Sequence, residues 1–286
     1  GCVFDTDAGK TVVMLPGPPS ELTPMLTRYA IPCLAKKENA VIVSENLHVF
    51  GMGEGSVAER IYDLMQGANP TAATYAKENE MFVRVTARAA NEEQARQMME
   101  PLAQKIRERI GSYVYATDCE SLEELVVREL EKAGKTLATA ESCTGGLLAK
   151  RITDVSGASQ VFEMGAVTYA NRIKEKVLGV SHETLEAHGA VSEETAWEMA
   201  RGIRLAAGSD LGVGITGIAG PGGGTPEKPV GLVYIALCDG EHTWVRRMAP
   251  GSADRPRSRS WQRNAAASHA LDMVRRYLQG LGGLEG

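Results

Sequence analysis

The chain has 286 residues, of which 43% are hydrophobic but only 5% aromatic, so Val, Ile, Leu, Ala and Met must fill the cores of two or more domains. A net charge of −5 excludes a protein that meets a nucleic-acid duplex with a basic face; the short basic run Arg255, Arg257, Arg259 and Arg263 suits a small anion instead. Five cysteines (Cys2, Cys33, Cys119, Cys143 and Cys238), widely spaced and without a CxxC, exclude a disulfide framework or zinc site and fit a reducing cytoplasm, while no apolar run or leader marks a membrane or secreted protein.

Residues 1–36 read as strand, loop and helix. The strand covers residues 11–15, Pro16-Gly-Pro-Pro19 breaks it, and Ser20 with Glu21 opens a helix toward Ala30. This piece is too small to fold alone and reads as the end of a domain whose first part is missing. Residues 37–117 read as a small α+β domain. Extended stretches at 41–43 and 48–50 precede helical spacing over 56–65 and a half-buried strand over 81–87. A long amphipathic helix over 92–110 then carries Ala95, Met98, Met99, Leu102 and Ile106 on one stripe.

Residues 118–286 form the largest unit. Helical periodicity over 122–133 leads to a strand at 136–140, a helix from Gly146 toward Thr153, and a strand at 165–169. Ser192 is placed to cap a helix with Ala196, Met199, Ala200 and Ile203 on one face. Strands at 211–216 and 230–237 and a final helix over 265–278 complete the pattern. Such alternation implies a sheet covered by helices on both faces, an α/β/α layered domain.

Three stretches of this last unit carry chemistry. Ala140-Glu-Ser-Cys-Thr-Gly-Gly146 joins a strand to a helix, where free N–H groups can hold an oxyanion or a phosphate. Ser142 reads either as a nucleophile or, with Thr144, as an ordinary helix cap; Cys143 is a rival nucleophile beside it. Val167-Thr-Tyr-Ala-Asn-Arg-Ile-Lys174 ends the next strand. Lys174, desolvated, can serve as the base for a serine, with Tyr169 relaying a proton or orienting it; the alternative is a solvated lysine and a packed tyrosine. The glycine-rich run from Gly217 to Gly231 can wrap an anion with backbone N–H groups, Lys228 adding charge, or can be a flexible turn. It is neither a Walker loop nor a Rossmann fingerprint. His48, His182, His188, His242 and His269 show no metal-ligand spacing.

Together these residues resemble the CinA family (competence/damage-inducible protein). The three stretches, with His188-Gly-Ala-Val-Ser192, match in order and spacing a C-terminal domain that also occurs alone as a nicotinamide-nucleotide amidase. Leu15-Pro-Gly-Pro-Pro-Ser-Glu21 resembles the close of that family's N-terminal molybdopterin-binding-like domain. Asn69-Pro-Thr with Ala73-Thr-Tyr-Ala-Lys77 resembles its KH-like middle domain. The resemblance implies a remnant over 1–36, a KH-like α+β domain over 37–117 and an α/β amidase domain over 118–286.

It also implies roles. Ser142 is the nucleophile, and Tyr169 and Lys174 activate it and shuttle protons. Thr144, Gly145, Gly146 and Asn171 shape the site. The loop with Gly217, Gly220, Thr225 and Lys228 holds the ribose phosphate. Before the last helix the family carries Gly-Asp-Arg and a second arginine four residues on. Here Arg257-Ser-Arg-Ser-Trp-Gln-Arg263 keeps Arg259 and Arg263 but not the glycine and aspartate, which weakens a phosphate role for Arg259. The implied reaction is hydrolytic deamidation of nicotinamide mononucleotide to nicotinate mononucleotide and ammonia, with no cofactor and no metal, in a cytoplasmic homodimer. Alternatives are a non-enzymatic partner in DNA uptake or repair, or ADP-ribose hydrolysis by the absent N-terminal part. Nucleic-acid binding by the KH-like unit is disfavoured, because Gly51-Met-Gly-Glu-Gly55 lacks the GxxG loop.

Overall fold

The computed structural model describes residues 1–37, 40–76, 80–118, 121–249 and 257–285; Lys77, Cys119 and Arg255 lie outside them. The fold divides into two compact units. One comprises 1–46, 58–73 and 84–109, the other 47–57, 74–83 and 110–286.

At the start of the chain, β1 (Cys2–Asp5) pairs antiparallel with β2 (Thr11–Met14). The sequence shows the second strand but not the first. Proline at the first position of α1 (Pro19–Met25) supplies a fixed φ where no N–H is needed, so the helix begins one residue before Ser20. A π-turn over Leu26–Ala30 leads into α2 (Ile31–Ala35).

Next come β3 (Val41–Val49), α3 (Glu54–Arg60), β4 (Thr71–Ala76), β5 (Met81–Ala89), α4 (Glu92–Ile110) and β6 (Val114–Thr117). The strands form a sheet in the order β4-β5-β3-β6. The two expected extended stretches are one continuous strand, β3. On α4 the buried stripe is Ala95, Met99, Ala103, Ile106 and Ile110, whereas Met98 is exposed. The 3.6-residue period centres the stripe on Ala95 and Met99 and leaves Met98 at its edge.

The C-terminal region opens with α5 (Leu122–Ala133). Ser121 and Glu124 form a capping box, and Gly134 closes the helix in the left-handed conformation. There follow β7 (Leu137–Glu141), α6 (Leu147–Thr153), β8 (Phe162–Val167), α7 (Asn171–Leu178), α8 (His182–His188), α9 (Glu193–Ala207), β9 (Leu211–Gly217), β10 (Val233–Cys238), β11 (Thr243–Met248) and α10 (Arg259–Leu278). The sheet order is β11-β10-β9-β7-β8. β7 runs parallel to β8 and β9, and β10 antiparallel to β9 and β11.

Alternate residues of β7 enter opposite layers, as strand geometry requires. Leu137 joins the core with α5, α6 and α10, while Ala138 and Ala140 pack with Leu178, Val180, Leu185, Met199 and Ile203 from the other side. This is the α/β/α sandwich. α9 lies so close to the sheet that a Cβ on Gly212 would sit 2.2 Å from the Ala200 carbonyl oxygen.

Several boundaries differ from the sequence reading, for local reasons. β10 starts at Val233, not Val230, because the Gly231 N–H donates to the Ile218 carbonyl and closes the neck of the preceding loop. β8 ends at Val167, so Tyr169 stands beyond the strand. α10 starts at Arg259, ahead of the expected residue 265, because Ser258 caps it by accepting from the Trp261 N–H at 3.1 Å. Its first turn is polar, which hides the start from an apolar-period reading. No described helix is long and apolar enough to cross a membrane.

Candidate active site

In a parallel sheet the strand carboxyl ends open onto the loops that meet ligands. Three such loops, after β7, β8 and β9, are those singled out in the sequence. They border a cleft of about 260 Å³ lined by Ser142, Cys143, Tyr169, Arg259 and residues between Gly217 and Gly223. A larger cavity, about 410 Å³, lies around Arg151, Glu80 and Glu123. There Arg151 is already engaged by Glu123 at 2.7 Å and by Ser268, so the cleft at Ser142 is the better candidate.

Lys174, on α7, is fully buried. Its Nζ lies 3.2 Å from Ser142 Oγ, 2.8 Å from the Thr168 carbonyl oxygen and 3.3 Å from the Tyr169 carbonyl oxygen. Among the described residues no carboxylate pairs with it. Burial pushes its pKa below the usual lysine value, because the charged form loses hydration. A neutral amine has two N–H donors and one lone pair. In the charged form the third N–H donates to Ser142 Oγ; in the neutral form the two carbonyls take the two donors and the lone pair is left for the proton of Ser142.

Glu141 sets the turn that carries Ser142. Its buried carboxylate accepts from the N–H groups of Gly146 (3.0 Å), Leu148 (3.1 Å) and Ala149 (2.8 Å). A carboxylate at a helix start is favoured by both the amide donors and the dipole. The amides at the start of α6 are thus taken, contrary to the expectation that they hold an oxyanion or a phosphate. Ser142 does not cap the helix either. Its N–H donates to the Ile215 carbonyl at 2.9 Å, and its hydroxyl meets Lys174. Gly145 (φ 61°) and Gly146 (φ 92°) make the tight turn in the left-handed region. Among the described residues, the N–H groups of Cys143 and Thr144 donate to no oxygen, and both face the Cys143 thiol.

Glu141 was missed in the sequence reading, although an acidic residue just ahead of a helix start was the available signal. Glu141→Ala strands three amides, one buried and two part-buried, and is expected to cost at least about 2 kcal/mol, which thermal unfolding reads directly. An unchanged melting temperature would contradict the capping role.

Cys143 is buried, and burial with the nearby Glu141 charge pushes its thiol up to about 11. It stays protonated near neutral pH and is a poor rival to Ser142.

Tyr169 contributes through two different atoms. Its carbonyl holds Lys174, while its exposed phenol accepts from Arg259 Nη2 at 3.2 Å. The phenol hydroxyl bonds neither Ser142 nor Lys174, so the expected proton relay gives way to an orienting role for the backbone. Arg259 also donates to the Gly220 carbonyl at 2.7 Å and lines the cleft. Ser258 caps α10 as an aspartate would, which accounts for one departure from the family pattern. Arg263, one turn on, ties down the Thr144 carbonyl through Nε at 3.0 Å.

Not every expected residue reaches the cleft. Thr144 is buried, its hydroxyl unpartnered among the described residues, and it acts through its carbonyl. Asn171 is exposed at the start of α7, outside the lining. Gly217 and Gly220 border the cleft, and a Cβ on Gly217 would meet the Leu232 carbonyl oxygen at 2.7 Å. Thr225 and Lys228 do not border it. Their loop folds back on itself: the Thr225 N–H donates to the Lys228 carbonyl at 2.9 Å, and Lys228 Nζ donates to the His188 carbonyl at 2.5 Å. Among the described residues no group of His, Cys, Asp and Glu is placed to hold a metal.

Comparison with known proteins agrees with this architecture. Residues 119–278 match the CinA C-terminal domain, and residues 44–116 match the KH domain of the damage-inducible protein CinA. A CinA-like protein of Desulfovibrio desulfuricans is 52% identical over 281 residues, which is 98% of this chain and 66% of that protein. A CinA-like protein of Kosmotoga olearia is 52% identical over 279 residues, 97% of this chain and 66% of its own length. The chain thus spans about 66% of the length of these relatives. The crystal structure of the competence/damage inducible protein CihA from Agrobacterium tumefaciens is similar at 39% identity and a TM-score of 0.51, covering 56% of this chain and 97% of that one. A CinA superfamily protein from Klebsiella pneumoniae gives 34% identity and a TM-score of 0.52, covering 56% and 96%. With a family match spanning more than half of its residues, the chain belongs to the CinA family.

Proposed function

We propose that this chain is a serine amidohydrolase that converts nicotinamide mononucleotide to nicotinate mononucleotide and ammonia. The observation that carries this reading is the buried Lys174 amine, paired with no carboxylate among the described residues, 3.2 Å from Ser142 Oγ. A serine hydroxyl needs a base, and a lysine serves when burial keeps it neutral. In the proposed reaction Lys174 takes the Ser142 proton as Oγ bonds to the carboxamide carbon. The N–H groups of Cys143 and Thr144, which bond no oxygen among the described residues, are the candidates to bind the resulting oxyanion. Lys174 then returns the proton to the leaving nitrogen, ammonia departs, and a seryl ester remains. Water, deprotonated by Lys174, attacks the ester carbon; the C–Oγ bond breaks, Lys174 returns that proton to Ser142 Oγ, and the carboxylate product leaves. Arg259, beside the loop from Gly217, is the cation available for the nucleotide phosphate.

The test is to incubate the protein with nicotinamide mononucleotide and measure ammonia. Release in step with nicotinate mononucleotide supports the reading, whereas no ammonia at millimolar substrate favours the non-enzymatic partner role. Because Lys174 supplies the base, EDTA is expected to leave the rate unchanged. Loss on chelation, with recovery on adding a divalent ion, would sink the lysine mechanism.

A further inference from the structure

A third cavity, of about 270 Å³, shares no lining residue with the cleft at Ser142. It is bordered by Arg246 of β11, His269, Asp272 and Arg276 of α10, Tyr113, and the last residues of the chain. Asp272 lies at the centre of three guanidinium groups. It accepts from Arg246 Nη1 at 3.0 Å, Arg275 Nε at 3.1 Å and Arg276 Nε at 3.0 Å. Asp272, Arg275 and Arg276 are all buried, and Arg246 is nearly so. His269 does not offset or add charge. Burial, reinforced by Arg246, lowers its pKa to about 4, so it is neutral near pH 7.

Three cations therefore face one buried carboxylate, and with the exposed Glu285 on the rim counted one positive charge is left over. Leaving buried charge uncompensated is unfavourable. Backbone carbonyls take some of the donors: Gly283 from Arg246 at 2.6 Å, Gly282 from Arg276 at 2.8 Å and Ser112 from Arg275 at 3.1 Å. Carbonyl dipoles satisfy hydrogen bonds but not net charge. Arg246 Nε and Arg276 Nη2 bond no oxygen among the described residues, and neither is sealed from solvent. Arg276 also lies over the Tyr113 ring at 5.5 Å, which fixes the plane of its fork.

We propose that this cavity is an anion-binding site for a phosphate-type oxoanion, free or as the phosphoryl end of a mononucleotide, held by Arg246 and Arg276. A phosphoryl group carries between one and two negative charges at neutral pH and presents three acceptor oxygens, where a carboxylate presents two. Guanidinium forks match its oxygens in pairs. Glu285, exposed on the rim, opposes an incoming anion. The proposal is independent of the deamidation reading.

The experiment is titration calorimetry of the whole chain with inorganic phosphate and, separately, adenosine monophosphate. It is done in an Arg259→Ala background, so that the Ser142 cleft contributes little. The expected result is about one phosphate per chain, weakened at least about tenfold by Arg246→Gln and strengthened by Glu285→Gln. Tighter binding of the mononucleotide than of phosphate identifies a nucleotide ligand; equal or weaker binding identifies the free ion. Glu285→Gln lies on an exposed residue, so its effect can be read even if Arg246→Gln fails to fold. No phosphate binding in the Arg259→Ala background, or an affinity indifferent to Glu285→Gln, overturns the proposal and leaves the arginines as ties for the C-terminal segment.

Discussion

Ser142→Ala is expected to abolish ammonia release from nicotinamide mononucleotide, by a factor on the order of 10⁴ or more, without loosening the fold. The hydroxyl makes its hydrogen-bond contact with Lys174 and carries none of the capping of α6, which belongs to Glu141. Ser142 stays anchored through its main chain, whose N–H donates to Ile215. Removing one oxygen therefore removes the nucleophile and little else. Circular dichroism and melting curves should superimpose on those of the wild type. Cys143→Ala should keep most of the activity, since its thiol remains protonated. A dead Cys143→Ala with an active Ser142→Ala would reverse the nucleophile assignment.

Lys174→Met is expected to lower turnover at least about 100-fold, the low end for loss of a general base, with a smaller change in KM. Lys174→Arg should not rescue, because a guanidinium stays charged and offers no lone pair. The pH profile carries the sign of the mechanism. Only the neutral amine accepts a proton, so kcat should rise with pH and level off above the folded pKa of Lys174, which lies below 10.5. Stability follows the same linkage. Between the lowered folded pKa and the unfolded value the unfolded chain holds the extra proton, so stability rises with pH across that window and the burial penalty is complete below it. Lys174→Met should lose this component of the pH dependence. A flat kcat profile in the wild type, or full activity in Lys174→Met, would send the search for a base elsewhere.

Much of the architecture was legible along the chain. The 3.6-residue period of 92–110 marked α4 to its final residue, and the Ser121 box and Gly134 stop follow from local capping chemistry. The resemblance to the CinA family marked the three loops that border the cleft. What local pattern did not contain were elements whose apolar signal is weak or short, such as β4, β11 and α8, and the polar first turn of α10.

Which of the marked side chains meet was decided by tertiary structure. Glu141 sits opposite Val167 on β8 and Ile215 on β9 in parallel register. That register puts Ser142 beside Thr168 and Tyr169, and α7 then brings Lys174 back beneath both. The amine and the hydroxyl are 32 residues apart in sequence. Arg259 comes from still farther, reaching the Tyr169 phenol across 90 residues, while Thr225 and Lys228, only a few residues past Gly220, turn away because their loop bonds to itself. Residue chemistry and backbone bends are readable along the chain, because they depend on neighbours within a turn or two. Strand register and helix packing decided the pairing of the amine with the hydroxyl, because side-chain direction across a sheet depends on partners distant along the chain.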